Sequence, residues 1–493
     1  MKKILYSALL LFSVIISAQK NTLLQADFWK SKPDVEKVKQ EIANGNNPSE
    51  FNGNTFDAVS LSLTNKAPLE TVKFLLEQKG NSVDKLTHDG RIYLHWATMA
   101  GNPEIIEYFI SKGSDVNKLD TKGLTPLAFA AMFGLNDPKV YETFFKAGVD
   151  PKHQYKNGAN ILLLAIGNDK DGTLQKLFTS KGLSIKDVDE TDATAFDYAA
   201  SFGNIELLKS LKNQGVKASD KALINAAQGT RVVTNPLSVY QYLIDEIKLN
   251  PSAVNANGAN ALQIIAKKNN QKEIIDYLIG KGVDANKTDS EGNNALITAS
   301  GGKDLENVKA IAAKTKNINA LNSNGESALT QAIQSGSAEI VKFLIANKAD
   351  AKIVDAKGNN LAYYLIQSYR PGPQRGPDEF SEKLNILQSN NVNVTASQKD
   401  GNTLLHLAIA KNDLELLKKL SNLKIDVNSV NKESMTALQK AALVAKDDTI
   451  LKYLVSLGAN KTIKTEFDET AYDLASENES LKNNNVTRSA LLN

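Results

Sequence analysis

The chain contains no cysteine. That single absence excludes disulfides, thiolate metal sites and cysteine nucleophiles, and with them lipid attachment at a cysteine behind a leader. Histidine is almost as scarce. His88, His95, His153 and His406 are scattered along the chain, and no two stand at metal-ligand spacing. No H-E-x-x-H, P-loop or G-x-G-x-x-G pattern occurs. The sequence therefore offers no catalytic residue, no metal site and no cofactor site. An excess of one charge is lacking too. The 58 basic residues face 55 acidic ones, a net of +3 that falls to about +1 without Lys2 and Lys3. This is not the basic footprint of a nucleic-acid binder. Tryptophan is limited to Trp29 and Trp96, which read as packing residues.

Long apolar runs are missing except at the start, where Ile4 to Ile16 is diluted by Tyr6, Ser7 and Ser13. That stretch is too short for a spanning helix, which needs about 20 apolar residues. With Lys2 and Lys3 before it and the small pair Ser17-Ala18 behind it, the segment 1–18 reads as a Sec signal peptide cleaved after Ala18. The expectation is a chain that begins at Gln19, is not a lipoprotein, does not insert in a membrane after cleavage, and is periplasmic or secreted.

What the chain does have is glycine at a fixed beat. Gly90, Gly123, Gly158, Gly258, Gly292, Gly325, Gly358 and Gly401 each open a short turn before a helical pattern, and many of the gaps are 33 or 34 residues. A period of this length means a stack of similar small units without one central core. In the unit from Asp89 to Asn117, Asp89-Gly90 makes a tight turn. Leu94, Ala97 and Thr98 begin a first helix that ends at Ala100-Gly101. Asn102-Pro103 starts a second helix carrying Ile105, Ile106, Tyr108, Phe109 and Ile110, and Lys112-Gly113 closes it. Small residues such as Ala128, Ala130 and Ala131 let first helices approach. Large ones such as Ile340, Val341, Phe343, Leu344 and Ile345 fill the space between layers.

These residues resemble the ankyrin-repeat family. Gly123-Leu124-Thr125-Pro126-Leu127-Ala128-Phe129-Ala130-Ala131 is close to the family's G-x-T-P-L-H-x-A-A signature. Gly401-Asn402-Thr403-Leu404-Leu405-His406-Leu407-Ala408 keeps the histidine and loses the proline. The resemblance implies an all-α solenoid of about twelve helix-turn-helix repeats, joined by short β-turn or hairpin connections, over residues 19–475. It also implies that His95 and His406 brace neighbouring turns.

Departures from the pattern are local. Asp192, Ser434 and Glu469 stand where the turn glycine is expected, so those turns should be looser or simply less strained. Residues 219–257 form a degenerate repeat whose helices are joined by the link from Gly229 to Pro236. The unit opened by Gly358 is about ten residues too long, and its proline-rich segment 368–379 bulges between two helices either as a tolerated surface loop or as a recognition loop. Leu23 to Ala43 caps one end. Thr470 to Ala475 opens a last, partial unit, and the polar tail 476–493 is expected to fray. Asp89, Asp289, Asp355 and Asp400 read as turn residues of one repeated slot.

In ankyrin proteins, partners bind the turn tips and the exposed side of the first helices. By that resemblance the partner-binding residues are His88, Arg91, Lys118, Lys122, Tyr155, Lys156, Glu291, Lys357 and Lys399, with Tyr369, Arg370 and Arg375 added by the long loop. The expected function is a non-enzymatic scaffold that binds another protein and supports or protects an exported partner. A secreted ankyrin-type effector acting on a foreign target stays open as the alternative.

Overall fold

In the computed structural model, residues 20–230, 234–372, 376–484, 486 and 489–491 are described. They fall into two compact units, one drawn from Met1–Ser219 and Thr230–Val233, the other from Asp220–Gly229 and Thr234–Asn493. The expected leader 1–18 lies outside the described residues. Each unit is a series of helix pairs. In place of strands, isolated bridges pair Val188 with Thr194, Val254 with Asn260 and Val430 with Thr436 among the described residues.

The helices start and stop where side chains take over the unpaired backbone groups. Pro103, Pro126 and Pro138 each occupy the first helical turn, behind Asn102, Thr125 and Asp137 as N-caps. Most first helices open with a reciprocal capping box, such as Asp57 with Ser60, Thr194 with Asp197, Asn260 with Gln263 and Thr436 with Gln439. In Tyr93–Ala100 the side chains from Tyr93 to Thr98 are buried, because the first helices Ala58–Thr64 and Pro126–Met132 pack on its two flanks. The second helices bury one face only. Ile340, Val341 and Leu344 are buried, whereas Phe343 and Ile345 stay half-buried on the outer side.

In four first helices the residue at the third helical position bonds beyond its own helix. His95 Nε2 donates to the carbonyl of Leu124 (3.1 Å) and His406 Nε2 to that of Met435 (3.0 Å). Gln263 makes the same bond to Asn293 (2.7 Å) and Gln439 to Glu469 (3.3 Å). In these four repeats one polar slot ties the first helix to the turn of the following repeat.

Several expectations are corrected. Beyond Thr470 there is a complete pair, Ala471–Glu477 and Glu479–Asn483, followed by the short turn Ser489–Leu491. Leu481 and Leu491 are buried, and the Asn478 amide donates to the carbonyls of Ala442 and Ala445 (2.9 Å each). A few apolar residues in a polar tail suffice, because the preceding repeat offers them a ready surface. The glycine-slot substitutions are Asp192, Ser434 and Asp468, not Glu469. The turn closed by Asp468 N–H to the Thr465 carbonyl fixes the register. These turns are no looser. Asp192, Ser434 and Asp468 adopt φ of 62°, 55° and 65°, and each keeps the turn hydrogen bond. Thr55 fills the same slot in the first hairpin with φ 59°. In the long unit the two helices are Leu361–Ser368 and Glu379–Ser389.

Candidate functional site

Most hairpins are built around one acceptor side chain. Asp120 Oδ1 takes the N–H groups of Lys122 (2.8 Å) and Leu124 (2.9 Å). Asp189, Asn255, Asp289, Asn322, Asp355 and Asn431 repeat this pattern two and four residues on. Asp289 and Asp355 are therefore acceptors of the turn, while Asp89 and Asp400 sit two positions further, at the tip. The expected single aspartate slot is two slots. Hairpins are stitched to one another through the backbone. Thr121 N–H donates to Asp89 O (2.9 Å), Ser290 to Asn257 O (2.8 Å), Ser323 to Glu291 O (2.8 Å) and Ala356 to Asn324 O (2.9 Å). The tips form a rigid edge, not a set of floating loops.

The structure separates the proposed contact residues into distinct surroundings. Lys118, Lys122, Lys156, Glu291, Lys357 and Lys399 are exposed on or beside the hairpins. Lys122 is drawn to Asp89 (3.0 Å). His88 is half-buried, stacked on Phe56 at 5.0 Å with Nδ1 3.0 Å from the Asn54 carbonyl oxygen. Tyr155 is half-buried, its ring 4.7 Å from His153. Arg91 is not a tip residue, being only 2% exposed. Its guanidinium pairs with Asp120 and Asp89 and lies 4.2 Å from the Phe129 ring centre. Tyr369 is likewise buried, its hydroxyl donating to Asp413 (2.9 Å) and its ring against Phe380. Arg370 is exposed and donates to the carbonyls of Gln367 and Tyr369. Arg375 lies outside the described residues.

One set was not anticipated. The residue just before the turn acceptor is a large exposed hydrophobe in hairpin after hairpin. In the first unit these are Phe51, Leu86, Leu119 and Val188. In the second they are Val254, Leu321, Val354 and Val430. Together they make up more than half of the large exposed apolar side chains of the described protein. Scattered surface leucines need no explanation, but a recurring slot does. Its sequence signal, an aliphatic residue directly ahead of Asp or Asn in the turn, is visible only once the turn register is known.

Among the described residues, nothing comparable favours chemistry. Burial holds His95 down at about 4, and His406 is lowered for the same reason. Both are neutral at pH 7, and the carbonyl acceptors place their proton on Nε2. A cleft beside Thr173–Ser180 and Ile205–Asn213 is lined by Asp169, Lys170, Gln175, Lys176 and Glu206. Its Asp169 carboxylate is engaged by the N–H groups of Leu174 and Gln175. No helix among the described residues is long and apolar enough to cross a membrane.

A family model described as ankyrin repeats (three copies) matches residues 58–140, 196–289, 223–322, 262–355, 299–370 and 376–465, well over half of the chain. The chain belongs to the ankyrin-repeat family. Ankyrin repeats are protein-interaction modules, typically non-enzymatic. Among curated proteins, this ankyrin-repeat chain is similar to alpha-latrotoxin-Lg1a of Latrodectus geometricus, 27% identical over 199 residues that cover 40% of the chain and 14% of the toxin. It is 33% identical to palmitoyltransferase AKR1 of Lachancea kluyveri over 165 residues, 31% of the chain and 22% of the transferase. The likeness thus spans less than a quarter of either relative. The probable 26S proteasome regulatory subunit p28 of Saccharomyces cerevisiae is 28% identical over 152 residues, 30% of the chain and 65% of the subunit. Among solved structures, the human ASB11 ankyrin repeat domain is 22% identical, with 47% of this chain and 96% of that one covered and a TM-score of 0.39. A chain in the complex of the predatory endopeptidase Bd0816 of Bdellovibrio bacteriovorus with immunity protein Bd3460 is 26% identical, covers 41% of this chain and 97% of that one, and gives a TM-score of 0.34.

Proposed function

We propose that the chain is a non-enzymatic scaffold that holds a protein partner along its hairpin edges. The observation that carries this reading is the exposed hydrophobe that recurs ahead of eight of the turns, set on a backbone-stitched edge. Apolar contacts on a rigid, preorganised surface favour association, because little conformational freedom is lost on binding. The exposed Lys118, Lys122, Lys156, Glu291, Lys357 and Lys399 supply the polar rim and the orientation. Export belongs to the same reading. Residues 1–18 act as a cleaved leader, and the mature chain supports or protects a periplasmic or secreted protein.

The experiment is affinity capture with the chain from Gln19 onward, followed by titration of the recovered partner against two variants. One carries Leu86→Asp with Leu119→Asp, the other Leu321→Asp with Val354→Asp. At least one should bind about tenfold more weakly while melting like the parent protein. Undiminished binding by both removes the hairpin edges as the contact surface. Amino-terminal sequencing of the protein from fractionated cells tests the leader, with Gln19 as the expected first residue.

A further inference from the structure

The links between the two helices of each repeat form a second edge, and in the second unit that edge is rich in cations. Lys268 Nζ donates to the carbonyls of Ala227 (2.8 Å) and Gln228 (2.5 Å). Lys303 and Lys383 converge on the same Gly336 oxygen, each at 2.7 Å, and Lys383 also reaches Ile333 O at 3.0 Å. Lys411 donates to the Gln367 side chain (3.2 Å), and Arg370 donates to the carbonyl of that glutamine. Lys267 lies against buried Gly301 of the adjoining repeat, two residues before Lys303. Glycine lets these links stack closely. A Cβ at Gly336 would stand 2.2 Å from the Ser300 carbonyl oxygen, and one at Gly302 2.9 Å from that of Lys267.

Their bonds to helix-end carbonyls do not explain their charge. Neutral asparagines do the same work elsewhere. Asn307 caps Lys268 O (2.6 Å), Asn235 caps Ala226 O (2.9 Å), and Asn478 caps Ala442 O and Ala445 O. A folded link needs an N–H donor, not an ammonium. The nearby acids are also committed. Asp304 caps its own helix and accepts from Asn270 N–H. Glu379 takes the Ala338 N–H, Asp378 pairs with Lys419, and Asp413 takes the Tyr369 hydroxyl. No carboxylate among the described residues forms an ion pair with Lys267, Lys268, Lys303 or Lys411. Burial and neighbouring cations lower the pKa of Lys383 to about 8, and that of Lys411 falls for the same two reasons. Lys383 stands 4.0 Å from Glu379, whereas Lys267, Lys268, Lys303 and Lys411 have no described carboxylate bonded to them.

We infer that the link edge of the second unit docks an acidic segment of a polypeptide, whose carboxylates neutralise Lys267, Lys268, Lys303 and Lys411. The inference rests on the reading of the chain as a protein-binding scaffold and adds the chemistry of what it holds. A polypeptide fits better than a nucleic acid. Among its described residues the edge lacks the exposed aromatic platforms on which successive bases stack, since Tyr369 is buried.

The test uses the full mature chain and a fluorescent twelve-residue oligo-glutamate. The peptide should bind with an affinity that falls as salt rises. Lys267→Gln, Lys303→Gln and Lys411→Gln together, which keep N–H donors, should weaken it about tenfold. Lys118→Gln with Lys156→Gln, in the first unit, should leave it unchanged. The inference is overturned if the peptide does not bind at about 1 mM, or if the triple variant binds it as well as the parent. It is equally overturned if a twelve-nucleotide oligothymidylate binds more tightly and is lost in the triple variant. The hairpin variants separate the two readings. If they lose a captured partner while oligo-glutamate fails to bind, the scaffold stands and only the acidic segment falls.

Discussion

Arg91 and Asp120 meet as a buried ion pair across one repeat, with Nη2 2.9 Å and Nε 3.0 Å from the same carboxylate oxygen. The other oxygen of Asp120 holds the turn through Lys122 and Leu124 N–H. The guanidinium also rests on Phe129 and Trp96. One side chain thus locks a hairpin, its neighbour and the first helices beneath. Arg91→Ala strands a buried carboxylate, and we expect a loss of about 3–5 kcal/mol. Urea unfolding followed by Trp96 fluorescence checks it, and a loss below about 1 kcal/mol contradicts a locking role.

His95 gives a pH dependence with a definite sign. Its folded pKa of about 4 lies below the ordinary 6.5, so the unfolded chain takes up a proton first as pH falls. The stability is fully present above about pH 6.5 and is lost progressively between 6.5 and 4, up to about 3 kcal/mol. Glutamine already fills this slot at Gln263 and Gln439 and donates to the equivalent carbonyl. His95→Gln should therefore stay close to wild type at pH 7 and lose less stability than wild type at pH 5. His406 is lowered in the same direction, so a residual slope remains in the variant.

The glycine slots are not equivalent. At Gly123 an added Cβ meets nothing within 4 Å, and only the left-handed φ of 77° opposes it. At Gly292 the Cβ would lie 2.8 Å from Ser323 N, in the backbone of the adjoining hairpin. Gly123→Ala should cost about 1–2 kcal/mol, and Gly292→Ala distinctly more. Ser434→Gly, by contrast, relieves a φ of 55° and should raise stability by about 0.5 kcal/mol. Thermal melting ranks the three variants, and equal effects at Gly123 and Gly292 refute the close-approach argument.

The apolar hairpin residues should be silent in folding. Leu119 is 57% exposed and Leu321 52%. Their replacement by aspartate should change stability by less than about 0.5 kcal/mol. A larger drop in either variant's melting transition assigns that side chain to the fold and not to a partner.

The repeat was legible because its signals are local. A glycine, a capping residue three positions from its partner and a period near 33 residues can all be read along one stretch of chain. Glu469 in place of Asp468 is the kind of error such reading makes, since the turn register is set by a hydrogen bond and not by the alignment of letters. Arg91 and Tyr369 were misplaced on the surface for a different reason. Charge and hydroxyl predict exposure only until a partner such as Asp120 or Asp413 arrives from another repeat.

What the sequence by itself determined is the unit: two helices and a turn, with a polar slot that ties some first helices to the next turn. The physical reason is that capping, turn chemistry and helical periodicity act within a few residues. Tertiary structure alone decided which side chains face solvent and which face each other. Residues about 33 apart become neighbours only by stacking, and it is stacking that buries Arg91, aligns Leu86 with Leu119, and gathers Lys303 and Lys383 on one oxygen.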